Sequence, residues 1–90
     1  MNGSKVTYHD DTIAINGYRM DWCLQWGKYC GQNAADVWCQ RVNKTKSSVR
    51  ATNFKRANDI GLTYVLQTRM VCNAPTCDGF EYITCELTGD

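Results

Sequence analysis

The chain has 90 residues, enough for one hydrophobic core and no second one. Ten Lys and Arg against nine Asp and Glu leave a net charge of +1. The resulting pI of about 7.6 lies below the value of roughly 9 that marks nucleic-acid-binding domains. No stretch approaches the roughly 18–20 apolar residues of a membrane helix, and near-neutral charge argues against a membrane-lytic cation.

Taken in chain order, Met1-Asn2-Gly3-Ser4-Lys5 lacks the apolar run of a secretory signal. Val6, Tyr8, Ile13 and Ile15 then mark short stretches with the two-residue period of half-buried strands. His9-Asp10-Asp11 reads as a turn. Asn16-Gly17 predicts a tight hairpin between Thr12–Ile15 and Tyr18–Asp21, because both turn residues tolerate positive φ. The one clear helix spans about residues 33–42, with Asn33 as its cap and Asp36 complementing the N-terminal dipole. Ala35, Trp38, Cys39 and Val42 give it a single apolar stripe, and Arg41 suits its last turn. Asn43 to Ser48 reads as a polar loop. Arg50 to Phe54 and Thr63 to Val71 have strand composition, with turn residues and room for one helical turn at 57–61. Phe80 to Leu87 is the last strand. The expectation is an α+β domain: an antiparallel sheet of about four to six short strands packed with one helix.

Six cysteines, at Cys23, Cys30, Cys39, Cys72, Cys77 and Cys85, dominate the chemistry. Zinc sites want paired C-x2-C ligands, but here the gaps hold 6, 8, 32, 4 and 7 residues. The only histidine, His9, lies outside both cysteine clusters. A core this small needs cross-links, and each bridge contributes about 2–4 kcal/mol, so the cysteines are read as three disulfides and no metal is expected. Cys72 and Cys77 are expected to pair across Asn73-Ala74-Pro75-Thr76, and the other four to tie helix to strands. Bridges persist in oxidising compartments, so an extracellular location is expected: a signal has been removed, or export follows another route. Asn2-Gly3-Ser4 and Asn43-Lys44-Thr45 would be glycosylation sites on that route.

No nucleophile motif, phosphate loop or metalloprotease helix is present. Asp21, Asp36, Asp59, Asp78 and Glu81 are the acids that would have to meet for glycoside hydrolysis, but one small domain offers little depth for a water-excluding site. A non-enzymatic protein without cofactor is therefore expected. Lys44, Lys46, Arg50, Lys55 and Arg56 form a cationic stretch too diluted by Thr, Ser and Asn to suggest a phosphate site. Trp22, Trp26 and Trp38 and five tyrosines, interleaved with Asn, Asp, Gln and Arg, suit sugar recognition instead. A ring stacks on the C–H face of a pyranose while amides, carboxylates and guanidinium groups take its hydroxyls. Trp22, Trp26 and Trp38 read first as core; Tyr18, Tyr29, Tyr64 and Tyr82 suit either role.

Asp21-Trp22-Cys23, Trp26-Gly27, Cys30-Gly31, Ala34-Ala35-Asp36 and Cys39 are followed by Val71-Cys72-Asn73, Cys77-Asp78-Gly79-Phe80 and Ile83-Thr84-Cys85. This pattern, covering about Tyr18 to Cys85, resembles a group of small six-cysteine secreted-type proteins of plants, bacteria and fungi. Within it the chain is most similar to the galabiose-binding mushroom lectins. The resemblance implies a metal-independent, homodimeric lectin for terminal α-galactosyl groups on glycolipids or glycoproteins. It does not carry over individual sugar contacts. The residues themselves supply candidates: Asp78 and Asn73 in or beside the cysteine-bounded loop, Tyr82 near it, and Arg50 and Asn53 on a strand. A secreted defence or effector protein, or a protease inhibitor presenting the Cys72–Cys77 loop, is the alternative.

Overall fold

A computed structural model describes residues 4–43 and 49–87. Among these, the elements run β1 (Ser4–His9), β2 (Ala14–Ile15), β3 (Tyr18–Met20), β4 (Cys23–Gln25), β5 (Lys28–Cys30), α1 (Gln32–Val42), β6 (Val49–Ala57), β7 (Thr63–Val65), β8 (Met70–Cys72) and β9 (Gly79–Leu87). They form a three-stranded sheet β1-β9-β6, a four-stranded sheet β2-β3-β7-β8 and the two-stranded hairpin β4-β5. This is the expected small, disulfide-stapled α+β fold.

Alternation organises the three-stranded sheet. On β9, Ile83 and Cys85 point inward beside Val49 and Ala51 of β6, all buried. The other face carries three cross-strand rows: Lys5, Glu86 and Arg50; Thr7, Thr84 and Asn53; His9, Tyr82 and Lys55. Two register shifts interrupt β6 against β9, one at Thr52 and one at Glu81. The second reverses the alternation, so Phe80 turns into the core although it shares parity with outward Tyr82. There it meets Trp22 and Phe54, with ring centroids 4.9 and 6.1 Å away.

Helix α1 lies against β6 and the inner face of β9. Ala34, Ala35, Trp38 and Cys39 are buried, and the Cys39–Cys85 disulfide pins the helix to the central strand. Trp38 is core, as expected, and Tyr8 packs edge-on against it at 5.9 Å. Gln32 Nε2 donates to Ala51 O (2.9 Å), while Asp36 Oδ1 accepts from Ala51 N (2.8 Å). Asp36 thus does more than complement the helix dipole: it fastens the helix to β6.

Several expectations need correction. The helix cap is Gly31, whose φ of 65° and ψ of −112° suit glycine alone, and not Asn33. Val42 is 37% exposed, outside the stripe. Thr63 to Val71 is not one strand: the chain turns at 66–69 and returns as β8. The 57–61 segment contains no helical turn, its reversal using positive φ at Asp59 and Gly61. Pairing is not wholly antiparallel, because β3 and β7 run parallel. Cys72 and Cys77 pair as expected, but of the other four only Cys39 and Cys85 tie the helix to a strand. Cys23 and Cys30 face one another within the β4–β5 hairpin and bridge there. Trp22 is half-buried, and Trp26, at the hairpin turn, is 50% exposed and not core. The Asn2 sequon and all but Asn43 of the 43–48 loop, including Lys44 and Lys46, lie outside the described residues.

Candidate functional site

The β4–β5 hairpin, the first two turns of α1 and the β7–β8 turn enclose an open groove of about 490 Å³. Leu24, Gln25, Tyr29, Asn33, Asp36, Val37 and Gln67 line it. The volume falls within the range of about 300–1,000 Å³ usual for small-ligand sites.

Each wall has a local cause. Trp26-Gly27 closes the hairpin, with Gly27 at φ 70°, and Gln25 pairs with Lys28 across it. That register sets Tyr29 across from buried Leu24. Leu24 anchors the hairpin in the core, whereas the Tyr29 side is 52% exposed. The Cys23–Cys30 bridge closes the open end. On the opposite wall, Gln67 N donates to Leu24 O (3.0 Å), docking the β7–β8 turn onto β4.

Backbone strain collects at the same place. Among the described residues, five non-glycine residues have positive φ: Asp10, Asn16, Tyr29, Asp59 and Arg69. Asp and Asn visit this region readily, but Tyr and Arg do so at a cost of about 1–2 kcal/mol. Tyr29 (φ 57°) lines the groove, and Arg69 (φ 59°) belongs to the turn that presents Gln67. Such outliers persist where surrounding structure holds them, typically at binding sites.

The polar groups are partly committed. Gln25 Nε2 donates to Gln67 Oε1 at 2.8 Å, and among the described residues Gln25 Oε1 and Gln67 Nε2 have no hydrogen-bond partner, so the pair keeps both an acceptor and a donor group. Asp36 uses Oδ1 for Ala51 N and Gln32 Nε2, both at 2.8 Å, and among the described residues Oδ2 makes no hydrogen bond. Asn33 is exposed on the helix's first turn. An aromatic ring, a fixed carboxylate and three amides therefore line a groove with the apolar carbons of Leu24 and Val37. That set can stack on a C–H face and take adjacent hydroxyls, and Asp36 is the only acid in it.

None of the five candidates named from sequence lines this groove. Arg50, Asn53 and Tyr82 do share one surface, the outer face of the three-stranded sheet. There Tyr82 lies 6.4 Å from the His9 ring, and Asn53 Oδ1 accepts from Phe54 N (3.0 Å). Asn73 is exposed in the Cys72–Cys77 loop. Asp78 is committed to the fold: Oδ1 accepts from Asp59 N (2.8 Å), and Oδ2 accepts from Arg56 Nε (3.0 Å) and, in close contact, Arg56 Nη2. The Asp59 amide, joined by the Arg56 guanidinium, holds the Asp78 carboxyl below the usual carboxylate range. Arg56 in turn lies 5.2 Å over the Trp22 ring. Nearby Asp21 accepts from Thr63 Oγ1 (2.5 Å) and Cys23 N (2.9 Å), yet burial outweighs both bonds and pushes its carboxyl up.

Sequence reasoning named Tyr29 only as an unassigned tyrosine and missed Gln25, Asn33 and Gln67 as groove-lining groups. The signal available was Trp26-Gly27 centred between Cys23 and Cys30, which marks a stapled hairpin. Among the described residues no group of three or more His, Cys, Asp or Glu is placed to hold a metal, and no helix is long and apolar enough to cross a membrane. Comparison with protein-family models, with curated proteins and with solved structures finds no match to this chain.

Proposed function

We propose that this chain is a carbohydrate-binding protein whose ligands are terminal α-galactosyl groups such as galabiose. The observation that carries the reading is the groove in which a strained, exposed Tyr29 faces Asp36 and the amides of Gln25, Asn33 and Gln67. The axial 4-hydroxyl of galactose leaves a continuous C–H patch on the opposite face of the ring. Tyr29 takes that patch, and Asp36 Oδ2 with the neighbouring amides takes the hydroxyl edge. All these contacts come from side chains, so recognition is metal-independent. A lone carboxylate without an acid partner suits binding better than glycoside hydrolysis, which needs two. The galactose preference also draws support from the resemblance to galabiose-binding mushroom lectins.

The protease-inhibitor reading fares less well. Its contact would be the Cys72–Cys77 loop, but Cys77 N donates to Ala74 O (3.2 Å), folding the loop into a turn where a protease cleft needs an extended segment. Three disulfides suit an oxidising, extracellular setting. A two-fold dimer would supply the avidity that one shallow site lacks, raising apparent affinity about 10²–10⁴-fold.

A glycan array followed by calorimetry with methyl α-galactoside tests the reading. A Kd on the order of 10⁻³–10⁻⁵ M is expected, lost in Tyr29→Ala. A silent array with folded, oxidised protein would overturn it.

A further inference from the structure

Tyr29 is not the only ring that the β4–β5 hairpin leaves in water. Trp26, at its turn, is 50% exposed, whereas Trp38 is buried and Trp22 is packed against Phe54 and Phe80. Tyr29 sits across from Leu24, and Trp26 follows Leu24 by two residues. With the Gln25–Lys28 pair between them, the two platforms lie two residue steps apart along the hairpin, at most roughly 7 Å at strand rise. That is the scale of one to two pyranose rings in a chain. A two-stranded hairpin of this size has little stability of its own, but the Cys23–Cys30 bridge, Leu24 and the Gln67–Leu24 hydrogen bond hold this one in place. Trp26 is thus an exposed ring on a braced support, with little conformational freedom for a ligand to remove.

Building on the carbohydrate-binding reading, we infer that Trp26 is a second stacking platform. The site takes a linear saccharide of at least two units, one in the Tyr29 groove and the next running outward over Trp26. Binding should therefore strengthen with chain length, and Trp26 should act only on ligands long enough to reach it. Lys28, beside the turn and outside the groove lining, provides a polar group for the hydroxyls of the outer unit.

Calorimetry with methyl α-galactoside, an α-linked digalactoside and a linear trigalactoside tests this on wild type, Trp26→Ala and Trp26→Phe. Intact mass without free thiols and unchanged circular dichroism control for folding. Trp26→Ala should weaken the di- or trigalactoside about tenfold, the scale of one aromatic stacking contact, while the monosaccharide changes less than about twofold. Trp26→Phe should recover most of the loss. In wild type, tryptophan emission should shift to shorter wavelength with the longer ligand and stay fixed with the monosaccharide. Equal affinities of Trp26→Ala and wild type for every ligand would overturn the Trp26 platform while leaving the groove intact. Equal losses for short and long ligands would overturn it too, placing Trp26 in the first subsite. If wild type binds none of the three, the carbohydrate reading falls, and this inference with it.

Discussion

The disulfides should be unequal, and the inequality follows from loop length and burial. Cys39 and Cys85 are 46 residues apart, Cys72 and Cys77 only 5. In the chain-entropy description the bridges restrict the unfolded ensemble by about 4 and about 2 kcal/mol respectively. The difference, (3/2)RT ln(46/5), is about 2 kcal/mol. Cys39 and Cys85 are both fully buried between α1 and β9, so alanines there also leave a void costing about 1 kcal/mol or more. Cys72 is half-buried and Cys77 is buried at the foot of an otherwise exposed loop, so alanines at 72 and 77 leave a smaller void than those at 39 and 85. Cys39→Ala/Cys85→Ala should therefore lose about 5–6 kcal/mol, enough to unfold a domain whose total is about 5–15. Cys72→Ala/Cys77→Ala should lose about 2–3 kcal/mol and keep its cooperative transition. Urea unfolding followed by near-UV circular dichroism measures both, with an excluded osmolyte to populate the folded state of the weaker variant. Equal losses, or a larger loss at 72/77, would refute the loop-closure reasoning.

Two carboxylates should give opposite pH responses. Burial raises Asp21 in the folded state, so its contribution to stability grows as pH falls through its folded value toward the unfolded value of about 3.9; Asp78, held low by Asp59 N–H and Arg56, contributes above about 3.9 and is lost as pH falls through its own folded value. In thermal melts Asp21→Asn should flatten the gain on mild acidification, because Asn does not titrate yet can still accept from Cys23 N and donate to Thr63 Oγ1, whereas Asp78→Asn should destabilise at pH 7; the reverse pattern would contradict the assignment. Gly79→Ala should destabilise by about 1–3 kcal/mol in urea, since the new Cβ would lie 2.9 Å from Met20 O and 2.5 Å from Ile60 Cδ1. Saccharide affinity should be unchanged after exhaustive chelation, and a loss restored by calcium would show that acids outside the groove hold an ion.

What was legible in the sequence was whatever is fixed locally. Asn16-Gly17 does form the β2–β3 turn, with φ of 54° and 84°, because few other dipeptides accept that geometry. The helix at 33–42 and the strand ending at Leu87 appear within a residue or so, since their periodicities are strong. The β3–β7 parallel pair was not legible, because it joins residues more than forty apart and no local pattern encodes it. The Glu81 bulge was hidden for a related reason: strict alternation put Phe80 beside Tyr82, and only the register of β6 reverses it. Trp26 misled because a tryptophan next to a cysteine looks like core when the cysteine's partner is unknown. Once Cys30 is the partner, the residues between them must form a turn, and a turn residue cannot be buried on all sides. The one pointer to this wall of the groove was therefore the Trp26-Gly27 turn signal between Cys23 and Cys30, and reading it required that pairing.

The three bridges divide the work of this small chain. The buried Cys39–Cys85 link closes the longest loop and joins helix to sheet, so it stabilises the core. Cys23–Cys30 and Cys72–Cys77 close short loops and contribute less to global stability, but each fixes a surface feature that the core alone would leave loose. In the hairpin this matters most. Tyr29 in the left-handed region favours unfolding of its own segment, and a ring left half exposed gains only partial burial to offset that. The bridge, Leu24 and the Gln67–Leu24 hydrogen bond hold it there regardless. A residue kept strained and solvent-facing by three separate restraints fits the proposed saccharide contact, because the fold alone would be more stable with glycine or asparagine at that position.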